Sequence, residues 1–171
     1  GHDSNFTMES FIQRYNSDLA NDFGNLLSRV TTLIKKNYGG VIPEPGELND
    51  LDLVIKEKGI ALSKLVHGLV DEMRLNDAIE EIMQFIRMVN KYMEENAPWK
   101  LVKEDKVAAG KILYVAGESL RFGAVLLSPI MPNRTRLLLD TLNVNGYSYS
   151  WGGLKPGEKL KNHEPLFPRI K

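Results

Sequence analysis

The chain has no cysteine, and only 2 tryptophans and 3 histidines among its 171 residues. The first absence excludes disulfide frameworks, cysteine-ligated zinc and thiol catalysis. The histidines, His2, His67 and His163, have no carboxylate or second histidine at helical ligand spacing, so the Glu-x-x-His pairs of di-iron bundles are missing. His67, in "KLVHGLV", reads as a helix histidine at the core edge or on the surface. Net charge is absent too, with 22 Lys+Arg against 22 Asp+Glu. A protein gripping phosphates over its whole surface would be basic, so any nucleic-acid site is local. No apolar run approaches the roughly 18 residues of a membrane helix, and the N-terminus lacks signal-peptide character. Gly1-His2 has the look of a tag remnant, which makes the chain an expected piece of something larger.

Catalytic signatures are missing as well. "GGLKPGEK" has glycines spaced as in a phosphate-binding loop, but Glu158 stands where lysine is needed and no helix follows to hold an anion. There is no Gly-x-Ser-x-Gly and no Gly-x-Gly-x-x-Gly. No catalytic residue, metal ligand or cofactor is expected within this chain.

What the sequence does have is helical period. Ile12, Tyr15, Leu19, Phe23, Leu26, Val30 and Leu33 recur at three- and four-residue steps, predicting one helix from about Thr7 to Lys36. "NYGGVIPEPGELND" stops it. A second helix is predicted from Asp50 to Met73 through Leu53, Ile60, Leu62, Leu65, Val66 and Leu69. A third starts near Asp77, where Asp77 and Glu80 read as a capping box. It carries Ile79, Ile82, Met83, Ile86 and Val89 inward and ends on Asn96 as a left-handed cap before Pro98. A fourth, also amphipathic, covers Asp105 to Leu127, and a short fifth Thr135 to Leu142. The expected architecture is all-α: an antiparallel bundle of four long helices plus a short fifth. Residues 1–145 form the bundle; residues 146–171 form an irregular tail of the same domain.

Two features suggest a ligand. Asn21, Asn25 and Arg29 make an i, i+4, i+8 row flanking the apolar stripe. It reads either as a solvated face or as an amide-and-guanidinium edge able to read an exposed base. Trp99 follows Pro98 at a corner between predicted helices, a poor place to bury a large ring and a good place to stack one on a base.

The blocks "RYNSDLANDFGNLLSRV", "NKYMEENAPWKL", "LSPIMP", "WGGLKPG" and "EPLFPRI" occur in this order in bacterial-type methionyl-tRNA synthetases, and the chain resembles their C-terminal anticodon-binding domain over nearly its whole length. The resemblance implies a module that reads the CAU anticodon of methionine tRNA, above all its first base. It assigns hydrogen bonding to Asn25 and Arg29, stacking to Trp99 and the corner to Pro98, with Asn21 and Glu94 as further contacts. It implies a parent enzyme that joins methionine to tRNA with ATP and magnesium in the cytoplasm. The catalytic domain of that parent, often with a zinc-bearing insertion, is the other expected partner. No membrane is expected. The tail is expected to fold back, with Trp151, Leu166 and Phe167 against the first helix; the alternative is that they form surface which the catalytic domain covers. The anticodon-binding domain of another class I synthetase and a helical protein-interaction bundle are the alternatives.

Overall fold

In a computed structural model, residues 8–161 are described. The predicted places of His2, His163, Leu166, Phe167 and the Ile12 side chain lie outside the described residues. Helices α1 (Met8–Leu19), α2 (Asn25–Tyr38), α3 (Asp50–Asp71), α4 (Leu75–Asn96), α5 (Pro98–Leu101), α6 (Lys106–Leu127) and α7 (Pro132–Thr141) follow in order. A π-helical turn, Ala20–Gly24, joins α1 to α2. The composite first helix, α3, α4 and α6 are the four long rods of the all-α bundle, and α7 is the short one after them.

The first rod buries the expected stripe at Tyr15, Leu19, Phe23, Leu26 and Val30. Leu33 is half-buried instead, because Ile34 takes the inward position. On α3 the inward row is Asp52, Ile55, Gly59, Leu62, Val66 and Leu69. Leu53, Ile60 and Leu65, expected inward, lie 38%, 49% and 46% exposed. The row is turned by Asp52, which enters the core with its hydrogen bonds satisfied. The Tyr92 hydroxyl donates to its Oδ1 at 2.6 Å, and the Lys111 ammonium lies 2.9 Å from its Oδ2. Burial pulls the Asp52 carboxyl up, but these donors and the Asn49 amide outweigh it and hold it below the ordinary value.

That Asn49 amide belongs to a capping box. The Asn49 side chain accepts from the Asp52 amide, and Asp52 accepts from the Asn49 amide, both at 2.9 Å. The predicted box at Asp77 and Glu80 does not form. Helix α4 begins two residues earlier, at Leu75, and Asp77 binds the Arg74 side chain at 2.9 Å. At the other end of α4, Ala97 rather than Asn96 is left-handed, with φ +43°. Pro98 disfavours right-handed helix in the residue before it, so the break falls on 97. Asn96 stays helical and donates its side-chain amide to the Tyr92 carbonyl at 2.8 Å.

Helix α6 departs most from expectation. It is not amphipathic: every residue from Ile112 to Leu127 is buried, as in a central rod surrounded by the others. Two of these residues are charged. Glu118 and Arg121, both 0% exposed, form a two-pronged pair at 2.6 and 2.8 Å. The tail completes their solvation. Arg121 donates to the carbonyls of Ser148 (2.8 Å) and Ser150 (2.7 Å). Glu118 accepts amides from Gly152 (2.5 Å), Gly153 (3.1 Å) and Leu154 (2.8 Å). The loop that looked like a phosphate cradle therefore does hold an anion, the chain's own carboxylate. A Cβ on Gly153 would stand 2.4 Å from the Arg121 guanidinium carbon, so only glycine fits there.

Around this anchor the tail covers the bundle. Leu154 is fully buried beside Gly117. Trp151 packs over Gly59 of α3 and 5.9 Å from the Phe122 ring on α6. Further on, the Ile42 amide donates to the Glu158 carbonyl at 2.9 Å, and Val41 and Lys159 form a single antiparallel bridge.

The Tyr114 hydroxyl donates to the Leu154 carbonyl at 2.7 Å. Burial, aided by the Glu118 charge, pushes its phenol up to about 12. A raised folded value means the neutral form stabilises the fold fully below the unfolded value of about 10 and loses that contribution as pH rises towards 12. Urea titrations should therefore show stability falling by roughly 2–3 kcal/mol over this range from Tyr114. In Tyr114→Phe the fall should be smaller by that amount.

Candidate nucleic-acid interface

The residues singled out by sequence sit where α2, α4 and α5 meet. The constraint at one end is Pro98, buried at the first position of α5. Its fixed φ suits a helix start, and with left-handed Ala97 it turns the chain sharply enough to set Trp99 beside α2. Helix α5 itself, only four residues long, is too short to show a period and was not anticipated.

Trp99 is neither hidden nor free. It is half-buried, and with Ser28, Arg29, Thr32, Leu33 and Glu94 it lines an open cleft. Across the cleft Arg29 Nη2 lies 2.8 Å from Glu94 Oε1, the two side chains 40% and 56% exposed. An ion pair this exposed contributes about 0–1 kcal/mol, so a ligand can displace it cheaply. The guanidinium keeps donors to spare. Ser28 and Thr32 were missed by the sequence reading, although Thr32 lies three residues after Arg29 and four after Ser28, spacings that link all three along one side of α2.

Asn25 is exposed one turn before Arg29, so these two keep the i, i+4 relation. Asn21 does not continue the row. It sits in the π turn, whose wider winding bends the row between Asn21 and Asn25. Helix α4 clamps this turn from the side: Arg87 donates to the Asp22 carboxylate at 2.9 Å, and the Asn90 amide to the Asp22 carbonyl at 3.1 Å. Burial raises the Asp22 carboxyl above its ordinary value despite the pull of Arg87. Asn90 and Glu94 are successive turns of α4, so the helix that fixes the π turn also holds Arg29.

His67 lies exposed on α3, its Nδ1 2.7 Å from the Ser63 carbonyl and its ring edge-on to Tyr149 at 4.5 Å. Among the described residues no three His, Asp or Glu side chains are grouped to hold a metal ion. Nor is any helix there long and apolar enough to cross a membrane.

This bundle is the fold of the helical domain of a class I aminoacyl-tRNA synthetase. The crystal structure of the free Mycobacterium tuberculosis methionyl-tRNA synthetase matches it with a TM-score of 0.85 and 32% identity, over 97% of this chain and 35% of that one. A family model described as the anticodon binding domain of methionyl tRNA ligase matches residues 42–171, and one for class I tRNA synthetases (M) matches residues 1–31. The methionine–tRNA ligases of Caldanaerobacter subterraneus subsp. tengcongensis and Thermotoga maritima are 38% and 37% identical over 99% of the chain. The chain belongs to the methionyl-tRNA ligase family, as its anticodon-binding domain. It spans 28% of the length of each of those two relatives.

Proposed function

We propose that this chain reads the CAU anticodon of methionine tRNA, so that a parent ligase can attach methionine to that tRNA at the expense of ATP in the cytoplasm. The observation that carries the reading is the convergence of Arg29, Glu94 and Trp99 in one open cleft of a chain that belongs to this family. Trp99 stacks on the first anticodon base, while Arg29 and Asn25 bond its edge. Pro98 sets the angle of the ring. Glu94 releases Arg29 to the base, and Asn21 contacts the adjoining backbone from the π turn. Ring stacking with polar edge contact is the chemistry by which unpaired RNA bases are distinguished.

The other partner is the catalytic domain of the same parent chain. A second M. tuberculosis structure is described as bound by methionyl-adenylate, which supports ATP chemistry in that part of the relative. Magnesium and zinc are assigned to none of the residues of this chain. Residues 146–161, tied to α6 by Glu118 and Arg121, belong with the bundle as one domain.

A Trp151→Phe variant leaves Trp99 as the single tryptophan, since the chain has 2. Titrated at low salt, its fluorescence should be quenched by a CAU anticodon stem-loop and much less by one changed only at the first anticodon base. Equal quenching by both RNAs would remove the claim to base specificity.

A further inference from the structure

The corner that begins at Trp99 runs on beside α2 and meets that helix a second time. At its far end the Tyr38 hydroxyl donates to the Lys106 carbonyl at 2.6 Å, and the Lys106 ammonium sits 5.4 Å from the centre of the Tyr38 ring. The two meetings follow the same order along both segments: Trp99 shares a cleft with Arg29 and Leu33, and Lys106 meets Tyr38. Along α2, Arg29 and Tyr38 are separated by 38 − 29 = 9 residues, which at the α-helical rise is about 13–14 Å.

Both groups at the far end are available to a ligand. Tyr38 is half-buried, Lys106 is exposed, and together they border a second open cleft with Asn37, Gly39 and Glu44. Lys106 makes no ion pair among the described residues. The carboxylate next to it, Asp105, is occupied as the cap of α6, accepting the Ala108 amide at 3.0 Å. The ring is held by its hydroxyl, so the flexible lysine can leave it without the ring moving. A fixed ring beside an unpaired ammonium offers a face for a base and a charge for a phosphate.

We propose that Tyr38 and Lys106 form a second nucleotide contact for the RNA held at Trp99, with the base on the ring and Lys106 on a neighbouring phosphate. The proposal rests on the anticodon reading above. A separation of 13–14 Å is about four nucleotides at the stacked spacing of roughly 3.4 Å per strand, and fewer where bases are splayed. The contact therefore falls two to four nucleotides from the first anticodon base.

The test measures binding by fluorescence anisotropy, using CAU stem-loops that are each abasic at one loop position. Lys106→Gln should weaken every stem-loop by a similar factor, roughly 3- to 10-fold, and reduce the salt slope by about 0.7. Tyr38→Leu should weaken the intact loop by roughly 5- to 20-fold. In that variant, one abasic position two to four nucleotides from the first anticodon base should no longer matter. Quenching of Trp99 at saturation should survive in both. If both variants bind like the unchanged chain while that chain still quenches, this second contact is wrong and the reading at Trp99 stands. If the unchanged chain neither binds nor quenches, both are wrong. Should Tyr38→Leu melt early, the affinity and salt slope of Lys106→Gln decide alone.

Discussion

Glu118→Gln is expected to cost about 3–5 kcal/mol of stability, the range for breaking a buried ion pair and leaving its partner unmatched. The shape of the side chain is nearly kept, so the loss is electrostatic. Arg121, fully buried, would face two carbonyls and a neutral amide. The amides of Gly152, Gly153 and Leu154 would in turn point at a side chain half of whose acceptor capacity has become a donor. For a chain of this size the loss corresponds to a melting temperature lower by roughly 6–20 °C. Replacing both partners by apolar residues, as in Glu118→Leu with Arg121→Met, should cost less than Glu118→Gln alone, because no orphaned charge remains inside. Thermal and urea denaturation of the variants measure both quantities. A double variant as damaged as the sum of Glu118→Leu and Arg121→Met made singly would show that the pair is not coupled.

Trp99→Ala should lower affinity for a CAU stem-loop by roughly 5- to 150-fold, the equivalent of about 1–3 kcal/mol for loss of one stacked base. The fold should lose no more than about 1–2 kcal/mol, since the ring is only half-buried. Trp99→Phe should retain most of the affinity. Parallel binding and melting measurements separate the two roles of the ring. A steep fall in melting temperature with unchanged RNA affinity would make Trp99 a packing residue and overturn its role in binding.

The first rod, α3 and α4 were legible because each carries apolar residues at helical period, and Ile79, Ile82, Met83, Ile86 and Val89 are fully buried as that period requires; α6 was legible as a long, mostly apolar run that ends at Pro129. The candidate site was legible in kinds of residue and not in arrangement. Nothing in the period distinguishes an unbroken helix from one with a π turn at Ala20–Gly24, since Leu19, Phe23 and Leu26 are buried in either case. Asn-x-x-Asp at 49–52 and Asp-x-x-Glu at 77–80 are equally good capping signatures. The first forms at the start of α3; the second does not, because α4 starts ahead of it at Leu75, and that start is settled by packing. Glu118 and Arg121 did leave a trace, two charges three residues apart in an otherwise apolar run, but their partners lie some 30 residues further on with no pattern to announce them. The same distance explains Trp151: its place over α3 follows from the loop around Glu118, and no local signal encodes that.

The distance also has a direction in time. Synthesis runs from N- to C-terminus, and Glu118 precedes Leu154 by 36 residues. When α6 leaves the ribosome, the amides and carbonyls that will stand in for water around its two charges have not been made. The helix at the centre of the bundle is thus costly to enclose early. Until the Trp-Gly-Gly-Leu segment arrives, burying α6 means burying a carboxylate and a guanidinium short of five of their partners. Enclosing the middle of the bundle without that cost waits for the segment that reads as a loose end.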